Sequence, residues 1–148
     1  MRMSLQDWFN NGWLRKHKTS NQEIANLLEI VKRDIKDAEF SEVSPDWRFG
    51  IAYNAALKLC TILLYAEGFK PERNLAHYRT IQAMSLILGN RKEEDVNYLN
   101  TCRIKRNTIE YDYAGGTTHS DADELISFVS DLQDEVFVWI ENNHPELL

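Results

Sequence analysis

Arg106 is the residue in this chain whose surroundings call for chemistry. Val96, Leu99, Cys102, Arg106, Ile109 and Tyr113 follow one another at steps of 3, 3, 4, 3 and 4 residues, the spacing of a single helix face. A guanidinium in the middle of an apolar stripe must reach a carboxylate, a chain of polar partners, a subunit seam or an anionic ligand, because burying it unpaired is very costly. Glu110, one turn further on, offers an ion pair along the helix. In that arrangement the arginine stem lies along the core and its head reaches the rim. In the other arrangement Arg106 holds a phosphate or organises the cleft of a dimer. Arg103 is its neighbour on the helix while Lys105 points elsewhere, and Arg91 and Lys92 stand at the helix start. A two-fold dimer would concentrate this charge over one cleft.

The remaining reactive residues are scattered. His17, His77, His119 and His144 share no ligand spacing, so neither a metal nor another cofactor is expected. His77 opens a different helix face, next to Tyr78 and Arg79, from which it would approach Arg106 if the bundle folds that way. His119 lies beyond Gly115–Gly116 and would need its loop to fold back. His17 and His144 read as surface residues near the ends. Glu93, Glu94 and Asp95 are favourable charge in a first helical turn. Gly115–Gly116 lacks the lysine and the strand–helix context of a phosphate loop.

Helices must position all of these. Ser4 with Asp7 starts a short helix over 4–12, ended by Gly12, and a polar linker (LRKHKTS) follows. Ser20 and Glu23 have capping-box spacing ahead of Ile24, Leu27, Leu28, Val31, Ile35 and Ala38, one stripe of a long helix. Ser44–Pro45–Asp46 is a start signal for a helix that runs to Gly68 and is apolar on most faces, hence central. Gly50 inside it costs about 1 kcal/mol of propensity relative to alanine, which close packing or a ligand would explain. A third long helix spans 72–88 and stops at Gly89, a fourth runs from Glu93 to about Tyr113, and a fifth spans 121–142 with Thr118 or Ser120 as cap. No strand is expected. Short connections between long helices predict an all-α, antiparallel bundle of four to five long helices with a short N-terminal helix. The reading is one domain over 1–148, with a core of 19–142 and an N-terminal extension of 1–18 that Trp8 and Trp13 dock.

Composition narrows the function classes. The 148 residues carry a net charge of −6, which argues against a surface that coats nucleic acid or an anionic membrane and leaves room for a local basic patch. Cys60 and Cys102 both sit in apolar helical patterns and read as reduced core thiols. No run of 18 near-continuous apolar residues and no secretory pattern is seen, which points to the cytoplasm and away from a membrane.

The fourth helix also resembles the HEPN family, small helical domains that usually dimerise. The family motif is an arginine, often followed by a polar residue, and a histidine a few residues later. The subgroup encoded beside nucleotidyltransferase partners adds a tyrosine after it. In the string RNTIEYDY, Arg106 falls on the arginine, Asn107 on the polar residue and Tyr113 on the trailing tyrosine, while Tyr111 stands where the histidine would be. Helix order extends the likeness over roughly residues 20–142, with SPDWRFGIAYNAALKLCTILLYAEGF and HYRTIQAM resembling the second and third helices.

With an intact motif, the resemblance implies metal-independent RNA cleavage. The ribose 2′-hydroxyl loses its proton and attacks the adjacent phosphorus, the 5′-oxygen leaves and takes a proton, and a 2′,3′-cyclic phosphate results. Arginine suits the charge on phosphorus and histidine the proton transfer. Tyrosine, with a reference pKa near 10, is a poor base at neutral pH. The catalytic candidates are Arg106, Asn107, Tyr111, Tyr113 and His77, and the phosphate contacts Arg103, Arg106 and Arg79. Three functions remain open. The altered motif puts first a non-catalytic homodimeric module that binds RNA, a nucleotide or a nucleotidyltransferase-like partner. A toxin-type ribonuclease restrained by a partner protein comes second, and a purely structural dimer third.

Overall fold

A computed structural model describes residues 3–111 and 115–148, with the side chains of 109–111 outside the description. It is mostly helical. The helices are α1 (Leu5–Asn10), α2 (Asn21–Ala38), α3 (Pro45–Ala66), α4 (Ala76–Leu88), α5 (Glu93–Tyr111) and α6 (His119–Asn143), with strands β1 (Leu14–Lys16) and β2 (Phe69–Pro71). The anticipated start signals act as caps: Ser4, Ser20, Ser44 and Thr118 each accept a bond from a backbone N–H three residues on. Asp7 and Asp121 return the bond to complete capping boxes at α1 and α6.

α3 is the axis of the molecule. Its buried residues include Phe49, Ala52, Tyr53, Ala56, Leu59, Cys60, Ile62 and Leu63. It packs against α2 and α6 on one side and α4 and α5 on the other. By length and composition α3 would also span a membrane, with a window of mean hydropathy 1.4, but 61% of that window is buried inside the protein, as in a core helix. Cys60 and Cys102 are free and buried, and burial pushes the Cys60 thiol up to about 12 and the Cys102 thiol to about 11.

The two strands correct the all-helical expectation. Residues 14–16, read as polar linker, pair antiparallel with 69–71 in the register Leu14↔Pro71, Arg15↔Lys70, Lys16↔Phe69. His17 N donates to Gly68 O at 2.9 Å and Glu72 N to Trp13 O at 2.9 Å, extending the pairing at both ends. Gly12 (φ +79°) and Gly68 (φ +91°) make the turns that lead into it. Three residues are too few to display the alternation that marks a strand. Pairing also delays α4, which begins at Ala76 rather than 72, after Leu75 takes a left-handed conformation at φ +59°. The N-terminal extension docks as expected: Trp8 and Leu14 form a second cluster with Leu64, Phe69 and Ala83. His17 and His144, expected at the surface, are half-buried. His17 stacks on Tyr65 and bonds Glu23 at 2.6 Å, and His144 packs on Trp139.

Buried Arg48 ties three segments together, donating to Ala38 O at 2.8 Å, His119 Nδ1 at 2.9 Å and the Asp123 carboxylate. Arg48→Ala is expected to cost about 2 kcal/mol, mainly from the lost packing and the orphaned carbonyl, whereas Asp123→Asn, at the exposed end, costs under about 1 kcal/mol; urea denaturation of both variants checks this. A Cβ on Gly50 would meet nothing within 4 Å, so close packing does not account for that glycine. Gly50→Ala is therefore expected to raise unfolding free energy by about 0.5–1 kcal/mol in the same measurement.

Candidate functional site

The open side of α3 is where the charges gather. Trp47, Gly50, Asn54, Lys58 and Thr61 recur at three- and four-residue steps along α3, so they share one face, and none of them is fully buried. Tyr53 is on the border of this face, where α3 meets α5. α4 and α5 both pack against α3 and against each other, and their meeting line brings side chains from three helices together.

Arg106 lies where the interrupted stripe puts it. Val96, Leu99 and Cys102 are buried, and Arg106, on the same face and half-buried, holds its guanidinium 5.5 Å from the centre of the Tyr53 ring. Arg103 sits 5.6 Å from the Tyr78 ring centre and is steadied by Asn100 Oδ1 at 3.0 Å. His77, at the start of α4, is the histidine the fold brings to this cluster. Partial burial lowers its pKa from the ordinary 6.5, and the charges of Arg106, Lys58 and Arg103 lower it further. Among the described residues, every charged group that shifts His77 is thus a cation.

Two further features define the site. Among the six helices described, only α4 has no acidic residue in its first turn, and its start has no side-chain cap. Its leading N–H groups and positive dipole end therefore add to the same field. Tyr53 is 1% exposed, and its hydroxyl has no hydrogen-bond partner among the described residues. Burial raises its pKa well above the usual phenol value despite the opposing pull of Arg106 and Arg103, so the hydroxyl keeps its proton.

The other candidates divide. Arg79 is turned about 200° from His77 around α4 and stacks 3.7 Å from the Trp13 ring centre, bracing the N-terminal extension. Lys105 points away as expected, to Asp121 at 2.9 Å. Arg91 and Lys92 both pair with Glu135, and Lys92 also pairs with Asp95. Asn107 is exposed beside Arg106. His119 is engaged by Arg48. The side chains of Glu110 and Tyr111, and all of Tyr113, lie outside the described residues. Sequence reasoning missed Lys58 and Tyr53: Lys58 as the isolated cation of an apolar helix was a visible signal, but Tyr53 reads as one more core aromatic. No group of three or more His, Cys, Asp or Glu among the described residues is placed to hold a metal ion.

The fold defines a class: a mostly helical bundle in which cations of α3 and α5 act on a histidine at the start of α4. No family model, curated protein or solved structure matches the chain.

The depressed pKa of His77 has a consequence for stability. The unfolded chain binds this proton more readily than the folded one, so the stability owed to neutral His77 is complete above pH 6.5 and is lost as pH falls below it. An anion beside His77 favours the imidazolium and reverses the effect. NMR titration is expected to place the free His77 pKa below 6.5 and to move it upward with inorganic phosphate. Phosphate affinity is expected to rise as pH falls through that range, and His77→Gln should abolish the dependence.

Proposed function

We propose that this chain is a HEPN-like helical module that binds the phosphate groups of RNA or a nucleotide without turning them over. It would act as a cytoplasmic homodimer, with a nucleotidyltransferase-like protein as its partner. What supports this reading is that partly buried His77, at the uncapped start of α4, lies within the field of Arg106, Lys58 and Arg103, in a protein whose net charge is −6. Cations that gather beside one histidine on an acidic protein suit the recognition of an anionic group at one place. Arg106 and Arg103 provide planar forks suited to phosphate oxygens, and Tyr53 and Tyr78 beneath them limit their freedom.

His77 favours a second reading, a metal-independent endoribonuclease. Its lowered pKa leaves the imidazole neutral near pH 7, with a lone pair able to take the 2′-hydroxyl proton. Arg106 or Arg103 would stabilise the charge on phosphorus as the 5′-oxygen leaves. In this reading His77, from another helix, takes the part that Tyr111 plays poorly.

Both readings are tested by titrating a short mixed-sequence RNA, in excess chelator, into the wild type, Arg103→Ala, Arg106→Ala and His77→Gln. The module reading expects each arginine variant to bind about tenfold more weakly, with a salt slope reduced by about one, and the RNA to remain intact. Cleavage that leaves cyclic phosphate ends and disappears in His77→Gln would replace it with the ribonuclease. Equal binding by all variants would remove both.

A further inference from the structure

We infer that a second copy of this chain docks on the groove between α2 and α6, each α2 lying on the partner's α6, so that the two His77 sites face away from each other. The inference takes the homodimer from the proposed function and names the face that forms it. α2 and α6 both pack on α3 and touch each other much less, which leaves an open groove of about 650 Å³ between them. Leu28 lies on its α2 wall, and Phe137 and Val138 on its α6 wall. Phe137 is 43% and Val138 53% exposed, on a helix whose other exposed positions are polar. Adjoining exposed apolar side chains rimmed by charge mark a surface that docks against protein.

The charges decide what docks there. α6 contains no lysine or arginine, and Asp131 and Asp134 are on its exposed face. The exposed cations Lys32, Arg33 and Lys36 belong to α2. The two helices run antiparallel: Leu28 and Lys32 share one cavity with Asp134 and Phe137, while Glu39, at the end of α2, shares another with Asp123 and Ile126. Counted in opposite directions, Lys32 is level with Asp134 and Leu28 with Phe137. Neither Lys32 nor Asp134 makes an ion pair among the described residues. A two-fold axis along the groove keeps every level and exchanges the walls. It sets Lys32 against the partner's Asp134 and Leu28 against the partner's Phe137, each contact made twice. An axis across the groove would instead lay α6 on α6, carboxylate against carboxylate. Because α4 and α5 cover the other side of α3, the dimer carries His77 on its outer faces. Each chain then binds its anion separately, and the charges of the two copies are not pooled.

The test is sedimentation of the full chain over a dilution series. Lys32→Glu and Asp134→Lys, at exposed positions, are expected to melt as the wild type does. Each should weaken dimerisation by about tenfold or more, because each sets like charges together at two places. Phe137→Ala should weaken it by a similar factor. Mixing the two charge variants should restore a dimer of wild-type strength, since both contacts between the unlike chains are again of opposite sign while the pairs within each chain are not. His77 should respond to inorganic phosphate equally in the wild type and in monomeric Asp134→Lys. Charge variants that dimerise as the wild type does would overturn the inference and leave the homodimer to another face. A mixture that stays monomeric, or a monomeric variant whose His77 no longer responds to phosphate, would also overturn it. A wild type monomeric at every concentration reached would overturn it together with the homodimer, leaving the groove to a helix of another protein, and the phosphate response of His77 in that monomer would still decide the anion-binding reading by itself.

Discussion

A helix apolar on almost every face has to be surrounded, and α3 sets that requirement for the whole molecule. Each fully buried leucine or isoleucine along it is worth about 1.5–3 kcal/mol relative to exposure. α2 and α6 cover one side, α4 and α5 the other. Four helices cannot close around a fifth without leaving a seam, and the open stripe from Trp47 to Thr61 is that seam.

Several charges of this protein are spent in pairs. Arg48 meets Asp123, Lys105 meets Asp121, Arg91 and Lys92 meet Glu135, and Arg33 meets Asp34. Most of these join neighbouring elements, and several are at least partly exposed, so each contributes modestly. Among the described residues, the charged groups that act on His77 are Arg106, Lys58 and Arg103, all positive.

The strands add a constraint on the same site from the opposite end of the chain. By pairing with Leu14–Lys16, residues 69–71 fix where α4 begins, and Arg79 stacked on Trp13 holds the first turn of α4 against the extension. His77 is carried on that turn, two residues after the left-handed Leu75. The position of this imidazole thus depends on a short segment whose composition is that of a linker.

Most of the helices were legible because their determinants are local. Ser4, Ser20, Ser44 and Thr118 cap helices through bonds that span three residues, and periodicities such as Ile24–Val31–Ile35 or Leu125–Val129–Leu132 record which side faces inward. Arg106 was legible for the same reason, as a charge placed on an apolar face. Pairing of β1 with β2 was not, because three-residue strands separated by two long helices have too little pattern to outweigh their polar composition. Nor was the meeting of His77, Lys58 and Tyr53 with Arg106, which depends on how α3, α4 and α5 are rotated against one another. One sequence states what each helix must bury; which partly buried side chains then face each other is decided only when the helices pack, because that choice is made by the fit of surfaces far apart in the chain.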